Sequence, residues 1–253
     1  MKNCNFINNT ASLAGGAIYW IGANGTLTDS IFTDNTANNG GGVAWGGANG
    51  ILANSIFINN TAVSGGCVFL WGAKCHLNSC TFINNTATNG GSINWYGDRG
   101  VVTASTFINN AAINFAGGVF WNGENGNLNS CTFINNCALE GGGVWWRGDK
   151  GIMTGCTFIN NAATNVGGAV YWWAANGNLF NSNFNTIWVK SNGIYTLKDL
   201  NINGGKGIVG ISTGGGTLSG ISIVVLNNET YYYPPNSNIN LTKKKKNMSY
   251  QNI

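Results

Sequence analysis

The apolar residues of this chain recur with a period of 25 or 26 residues over most of its length. Around each repeated phenylalanine the sequence reads like F-I-N-N-T-A, followed by two glycines, a β-branched residue, an aromatic pair, Asn-Gly and Leu. Self-similarity at a fixed period of this size is the signature of a repeat architecture. The repeated phenylalanines are Phe6, Phe32, Phe57, Phe82, Phe107, Phe133, Phe158 and Phe184.

Superimposing the repeats produces columns of similar residues. A Leu-type column lies five residues before each phenylalanine, and a Ser/Cys column lies two residues before it, on the same face of a strand. Apolar or small residues held at one position in every repeat predict side chains that stack inward between parallel strands about 4.8 Å apart. The β-branched column runs from Ile18 to Val170, the Leu column from Leu27 to Leu179, and the Ser/Cys column from Cys4 to Ser182.

A period of 25 residues is too short for two packed helices with their loops, but it fits three short strands joined by three turns. The columns therefore predict an all-β, right-handed parallel β-helix, a pectate-lyase-like solenoid of about ten rungs of about 25 residues. Leu197 with Ile202, and Leu218 with Ile223, keep the five-residue offset and would form rungs nine and ten.

The predicted β-helix covers residues 1–226. From residue 227 the composition changes to a Tyr-Tyr-Tyr-Pro-Pro segment and a lysine run, which indicates a linker, a tail or the start of a further β module. No cap precedes the first rung, although an open end exposes strand edges and apolar core. We therefore expect the chain to be a fragment of a longer protein, truncated at its amino-terminal end.

Two further columns indicate the corners of the coil. An asparagine lies three residues after each phenylalanine, where stacked amides can bond to one another along the axis and where Asn tolerates the left-handed conformation of a tight turn. A glycine column marks the second corner, and Cys75 interrupts it, so we expect that rung to be strained or to turn differently. The asparagines are Asn9, Asn35, Asn60, Asn85, Asn110, Asn136 and Asn161.

Charge changes this picture little. Charged residues make up 8% of the chain, and the net charge of +4 comes entirely from the lysines at 243–246. A neutral body has no electrostatic footprint for nucleic acid, so we predict no nucleic-acid partner. The stretch 208–226 is free of charge but rich in Gly, Ser and Thr, so we expect strands there rather than a membrane span. The sequence predicts no cofactor.

The repeats resemble those of a known family. The segments 15–35 (GGAIYWIGANGTLTDSIFTDN) and 105–111 (STFINNA) resemble repeats of adhesin-like surface proteins of methanogenic archaea. More distantly, the GGA-I and F-x-x-N elements resemble those of chlamydial polymorphic outer-membrane proteins. The likeness covers residues 3 to about 185. It implies a parallel β-helix outside the cell, a role in attachment or in the envelope, and no catalytic residues. The chain begins without an export signal, which a missing amino-terminal portion would explain.

The aromatic pair of each repeat offers a candidate binding site. Its second member is Trp in nearly every repeat, which predicts an inward or corner stack. The first member varies, which predicts that it faces outward. Exposed aromatic rings on a rigid strand can stack on sugar rings, although they could equally cover an adjacent loop or subunit. The predicted ligand-binding stripe consists of Tyr19, Phe69, Phe120, Trp145 and Tyr171.

Acidic residues offer the alternative site. Asp98, Glu124 and Asp149 form one column, nine residues before successive phenylalanines. Three carboxylates about 4.8 Å apart repel one another unless a cation compensates. A calcium ion, or a carboxylate-based cleavage of sugars, is the functional interpretation, and a solvated turn is the structural one. We predict no catalytic residue and no metal site, with this acidic column as the candidate for either.

The seven cysteines carry no metal-binding spacing, because no C-x-x-C pair occurs. Most share a column with serines, so we expect buried, reduced side chains that act as small fillers. Cys131 and Cys156 occupy one column on consecutive rungs, but their Cβ vectors would point the same way, which disfavours a disulfide.

These observations favour a non-catalytic, adhesin-like shaft on the cell surface, for attachment or envelope structure. Its expected partner is a cell-surface or extracellular polysaccharide or glycoprotein. The alternatives are a polysaccharide lyase or glycoside hydrolase of the β-helix type, and a carbohydrate-binding module of a larger enzyme.

Overall fold

The structure is a computed structural model that describes residues 1–184 throughout and, beyond them, the backbone of seven short strands. In this part of the chain the only regular elements are strands, and nearly all of them pair in parallel. The chain forms a β-solenoid in which the second to seventh turns each add one strand to every one of its four sheets. The predicted all-β parallel coil is confirmed.

Four sheets run along the coil, and each is named here for the side chain that it turns inward. The Phe sheet contains Asn5–Ile7, Ile31–Thr33, Ile56–Ile58, Thr81–Ile83, Thr106–Ile108, Thr132–Ile134, Thr157–Ile159, Asn183–Phe184, Leu200–Ile202, Ser222–Leu226 and Glu229–Tyr233. The Trp sheet contains Ile18–Trp20, Val43–Trp45, Val68–Leu70, Ile93–Trp95, Val119–Trp121, Val144–Trp146, Val170–Trp172, Ile187–Lys190, Gly210–Ser212 and Asn240–Leu241. The Leu sheet contains Thr26–Thr28, Ile51–Ala53, His76–Asn78, Val101–Thr103, Asn127–Asn129, Ile152–Thr154, Asn178–Phe180 and Thr196–Lys198. The Ala sheet contains Thr36–Asn39, Thr61–Ser64, Thr86–Asn89, Ala111–Phe115, Cys137–Glu140 and Ala162–Val166.

The expectation of three strands per turn is wrong for the second to seventh turns, which carry four. Directly after each of the first seven strands of the Phe sheet, one residue with a positive φ bends the chain, as Asn59 does at 54°. The Thr-Ala residues that follow then pair with their counterparts in the next turn, as Thr61 does with Thr86, and form the Ala sheet. The sequence did not separate this strand from the turn because only its alanine points inward.

Like residues pair with like in every sheet. Phe57 pairs with Phe82, and Leu52 pairs with Leu77, so one turn of the coil corresponds to one sequence repeat. Seven turns separate the first phenylalanine of the column from the last. The register thus follows from the repeat itself, because a slip of one residue would move the inward column to the outer face.

Beyond residue 184 the predicted rungs are met in part. Leu197 pairs with Leu179, and Ile202 pairs with Phe184, as predicted for rung nine. The register predicted for rung ten is wrong, because Ile202 pairs with Leu226 rather than Ile223. Leu218 lies outside the described residues, as does much of the segment 227–253. The boundary predicted at residue 226 stays a prediction. The strands on either side of it, Ser222–Leu226 and Glu229–Tyr233, pair antiparallel.

Stacked rings fill the core. Neighbouring phenylalanines of the column lie 4.5–5.0 Å apart between ring centroids, with nearly parallel planes, and all but the first are buried. The tryptophans stack in the same way at 4.6–4.9 Å, and most donate their indole N–H to the carbonyl two residues further on. Burying one such ring contributes about 1.5–3 kcal/mol, so the stacks supply much of the stability of the coil.

The predicted asparagine ladder is confirmed. Six successive members from Asn35 to Asn161 are buried, and the amide N–H of one residue donates to the Oδ1 of the next at 2.8–3.1 Å, beginning from Asn9. The left-handed conformation was expected of these asparagines, but they do not adopt it. The preceding residue does, with Asn84 at a φ of 55° and Asn109 at 54°. The exposed residue therefore makes the bend, and the buried one makes the hydrogen bonds.

The glycine column is explained by space rather than by conformation. A Cβ atom on Gly50 would lie 2.5 Å from Cε2 of Trp45, and the other members of the column meet their tryptophans in the same way. Where Cys75 replaces the glycine, Leu70 replaces the tryptophan, so the two exceptions compensate each other. The expectation of a strained or different turn is wrong, because Lys74 has a φ of 57°, like its counterparts in the other turns.

All seven cysteines are free. Cys80, Cys131 and Cys156 are buried, and each thiol donates to the carbonyl two residues earlier, as the serines of their column do. Burial raises the pKa of the Cys80 thiol to about 12. The expectation of buried fillers is wrong for Cys137, which is exposed on the outer face of the Ala sheet.

Candidate functional site

The outward aromatic column does not form one continuous stripe. Tyr19 is 58% exposed and Phe69 is half-buried, whereas Phe120, Trp145 and Tyr171 are only 6–8% exposed. The prediction that these five side chains face solvent is therefore wrong for the last three. The alternative interpretation, that such rings cover an adjacent loop, describes those three.

The three buried rings form an outer cluster with Phe115 and Ala116. The longer strands of the Ala sheet, such as Ala111–Phe115, bring this cover over the outer face of the Trp sheet. Trp145 meets Phe120 and Tyr171 edge to face, with centroids 5.1 and 5.5 Å away. The cluster is a second, smaller core outside the coil, and its rings are covered rather than presented to a ligand.

The carboxylate of Glu140 links a ring of this outer cluster to a neighbouring strand of the Ala sheet. Glu140 Oε2 accepts a hydrogen bond from Trp145 Nε1 at 3.2 Å, and its Oε1 accepts one from Asn165 Nδ2 at 2.9 Å. Burial, together with the negative charge of Glu140, raises the pKa of Tyr171 to about 12. These contacts fix the cover against the Trp sheet and give the cluster a structural role.

The exposed aromatic group lies over the first four turns and consists of Tyr19, Phe69, Trp71 and Tyr96. Trp71 is 37% exposed and Tyr96 is 49% exposed. Its centroid distances are 6.0 Å from Tyr19 to Trp71, 5.4 Å from Phe69 to Trp71, and 5.7 Å from Phe69 to Tyr96, with planes tilted by 36–58°. Four rings thus form one contiguous surface with several orientations.

Sequence reasoning missed two members of this group. Trp71 and Tyr96 lie one position after the inward tryptophan column, where the other turns carry Ile21, Gly46, Asn122, Arg147 and Trp173. The signal was present in the third repeat, in which the inward position is Leu70 and the tryptophan follows it. That shift places the Trp71 ring outside the coil, above Gly46, where a Cβ atom would not fit.

The acidic column behaves as a structured turn. Asp98 Oδ1 accepts a hydrogen bond from the backbone N–H of Glu124 at 2.9 Å, and Asp149 Oδ1 accepts one from that of Ala175 at 2.8 Å. A carboxylate of one turn thus holds the backbone of the next, in a charge-assisted bond. Across the residues that the structure describes, no three Asp, Glu, His or Cys side chains are grouped so that they could hold a metal ion. The candidacy of this column for a calcium ion stays a prediction.

A shallow depression of about 370 Å³ lies between the fourth and sixth turns. The residues that line it are Tyr96, Asn122, Glu124, Arg147, Gly148 and Asp149. It borders the exposed aromatic group, because Tyr96 belongs to both. Two of the three predicted acidic residues, Glu124 and Asp149, therefore share a site with an aromatic ring, whereas Asp98 does not line it.

Comparison with known proteins gives one family. No curated protein and no solved structure matches the chain significantly. Within the described residues there is no helix long and apolar enough to cross a membrane. The family model described as "Right handed beta helix region" matches residues 1–163 of the 253. This match covers more than half of the chain and agrees with its parallel, four-sheet coil, so the protein belongs to the right-handed β-helix family.

Proposed function

We propose that this β-helix is a non-catalytic, adhesin-like shaft that binds extracellular glycans through the exposed aromatic group. The observation that carries the proposal is the contiguous surface of four aromatic rings, Tyr19, Phe69, Trp71 and Tyr96, on a coil with few charged residues. Sugar rings present C–H faces that stack on aromatic side chains, whereas their hydroxyls remain in water or bind polar groups.

The scaffold supports this role because it holds the rings in place before a ligand arrives. Phe69 lies on a strand that pairs on both sides, with Ala44 and Asn94 as its direct partners. Asn94 is buried beside it and donates from Nδ2 to Ser64 Oγ at 2.6 Å. A ligand that binds such a surface orders few side chains, which lowers the entropic cost of binding.

Location outside the cell is part of the proposal. It is supported by the resemblance of the repeats to those of surface adhesins and by a neutral body with few charged residues. Because no strong field surrounds the coil, the preferred partner is an uncharged polysaccharide or the glycan of a glycoprotein, bound along the shaft.

The test is retention of the full chain on insoluble cellulose, chitin and plant cell-wall polysaccharides, with the supernatant assayed for new reducing and unsaturated sugar ends. We expect binding without product. Replacing Tyr19 and Trp71 with Ser should abolish retention. The matched control replaces Val63 and Ile113 with Ser, because both are exposed apolar side chains of the Ala sheet. Circular dichroism should show that both variants keep their strands.

Each other outcome has a defined meaning. Equal retention of the two double variants would contradict a role for the aromatic group. Released product would instead favour a β-helix lyase or hydrolase, and Glu124 and Asp149 in the depression would become the candidates for its carboxylates. Binding that is strong but not confined to cell-surface glycans would favour a carbohydrate-binding module of a larger enzyme.

A further inference from the structure

The depression beside Tyr96 combines an aromatic wall with polar groups from two later turns. Asn122 and Glu124 come from the fifth turn, and Arg147 and Asp149 come from the sixth. Successive turns lie about 4.8 Å apart, so the polar groups extend about 10 Å along the axis from Tyr96. The depression thus continues the exposed aromatic group in the direction of the coil.

Several of these polar groups have hydrogen-bonding capacity to spare. Within the described residues Arg147 forms no ion pair, and the only ion pair joins Lys2 and Asp29. The Oδ1 of Asn122 is buried and accepts no hydrogen bond there, whereas its Nδ2 donates to Asn94 Oδ1 at 3.2 Å. A buried acceptor without a partner is unusual, and it calls for a hydroxyl or a water.

We infer that this depression is a subsite for one neutral pyranose unit of the glycan that stacks on the exposed aromatic group; the inference rests on the proposed function. The exposed face of Tyr96 would stack on the C–H face of the sugar. The guanidinium of Arg147 has only donors and the carboxylate of Glu124 has only acceptors, so together they match adjacent hydroxyls, each of which donates and accepts. The volume of about 370 Å³ lies in the usual range for small-ligand sites, about 300–1,000 Å³.

The charges disfavour an acidic sugar. Glu124 and Asp149 place two negative charges in the depression against the one positive charge of Arg147, so the carboxylate of a uronic acid would be repelled on balance. The Oδ1 of Asp149 already accepts a hydrogen bond from the backbone N–H of Ala175, so this carboxylate is fixed in place. A neutral pyranose avoids this repulsion, and its hydroxyls use the donors and the acceptors together.

The experiment measures depletion isotherms of the full chain on cellulose and chitin, with soluble polygalacturonate and chitosan as charged competitors. The variants are Glu124→Gln, which removes one charge at nearly constant size, and Arg147→Gln, which removes one charge and shortens the side chain. The control is Lys150→Gln, an exposed cation of the same turn that does not line the depression. We expect each of the two variants to weaken binding about tenfold, the loss of one charge-assisted hydrogen bond, and Lys150→Gln to leave it unchanged.

The outcomes separate this inference from the proposed function. If the chain binds, and loss of Tyr19 and Trp71 abolishes binding while Arg147→Gln and Glu124→Gln do not weaken it, the aromatic group stands and the subsite is refuted. If soluble polygalacturonate or chitosan displaces the chain from cellulose and chitin, the assignment to a neutral sugar is refuted. If the wild-type chain binds no glycan, both are refuted together.

Discussion

The asparagine ladder makes a quantitative prediction at Asn85. This side chain is fully buried and takes part in four hydrogen bonds. Its Oδ1 accepts from the backbone N–H of Asn60 at 2.8 Å and from the amide of Asn60 at 3.1 Å. Its Nδ2 donates to the carbonyl of Phe57 and to Oδ1 of Asn110, both at 3.0 Å. Replacing Asn85 with Ala removes all four bonds at once.

The magnitude follows from what the substitution leaves behind. The backbone N–H of Asn60 would remain buried without an acceptor, at about 1–3 kcal/mol, and each of the other lost hydrogen bonds contributes about 1 kcal/mol. The truncated amide also leaves a small void that the stacked turns cannot close. We therefore expect Asn85→Ala to lower the free energy of unfolding by about 4–6 kcal/mol.

The measurement is guanidinium-induced unfolding together with amide hydrogen exchange around Asn60. Exchange is needed because a repeat array can open locally without unfolding as a whole. The control is Asn84→Asp, the exposed neighbour, which keeps a residue that tolerates the φ of 55°. We expect this control to change stability by less than about 0.5 kcal/mol. A loss below about 1 kcal/mol for Asn85→Ala, with exchange near Asn60 unchanged, would refute the reasoning.

Three further predictions concern other parts of the coil. Leu70→Trp should destabilise the protein by about 1–3 kcal/mol, because Cys75 occupies the space that the ring needs, and adding Cys75→Gly should restore stability in a double-mutant cycle of unfolding free energies. Tyr171 should ionise near pH 12 instead of 10. Because folding raises this pKa, the neutral phenol of Tyr171 contributes fully to stability below pH 10, and this contribution is lost as the pH rises from 10 to 12. Absorbance at 295 nm would follow the ionisation, and the pH dependence of unfolding, compared with that of Tyr171→Phe, would measure the loss of stability. Native thiol titration should label Cys137 first, and the buried thiols should react only after denaturation, whereas equal rates would contradict the burial described here.

Most of the coil could be predicted because its repeats report the same environment several times. A single Phe or Leu says little, but the columns around Phe57 and Leu52 recur at one spacing and so fix period, register and inward face together. The strand of the Ala sheet escaped notice because only its alanine, such as Ala87, points inward, and a small residue gives a faint signal. At the corners, Asn84 and Asn85 could not be assigned their separate roles from adjacency alone.

The candidate site was predicted less well, for a physical reason. Tyr19 and Trp145 occupy the same column, yet one is exposed and the other is buried. The two positions differ because Phe115 and Ala116 pack over the outer face of the later turns, whereas no such residues cover Tyr19 in the first turn. Likewise Trp71 belongs to the exposed group because Leu70 occupies the inward tryptophan position of the third repeat. The sequence contains this exchange, but the repeat pattern alone does not show that the Trp71 ring lies outside the coil.

The sequence by itself therefore determined the coil: its period, its parallel register, its stacks of Phe, Trp and Asn, and its near neutrality. These follow from local repetition, because each turn is surrounded by near-copies of itself. Only the tertiary structure decided which outer side chains are free. Exposure of Tyr96 or burial of Tyr171 depends on contacts between residues of different turns and different sheets. Such contacts vary from turn to turn, so no column average contains them, and the depression beside Tyr96 exists only where three turns differ from one another.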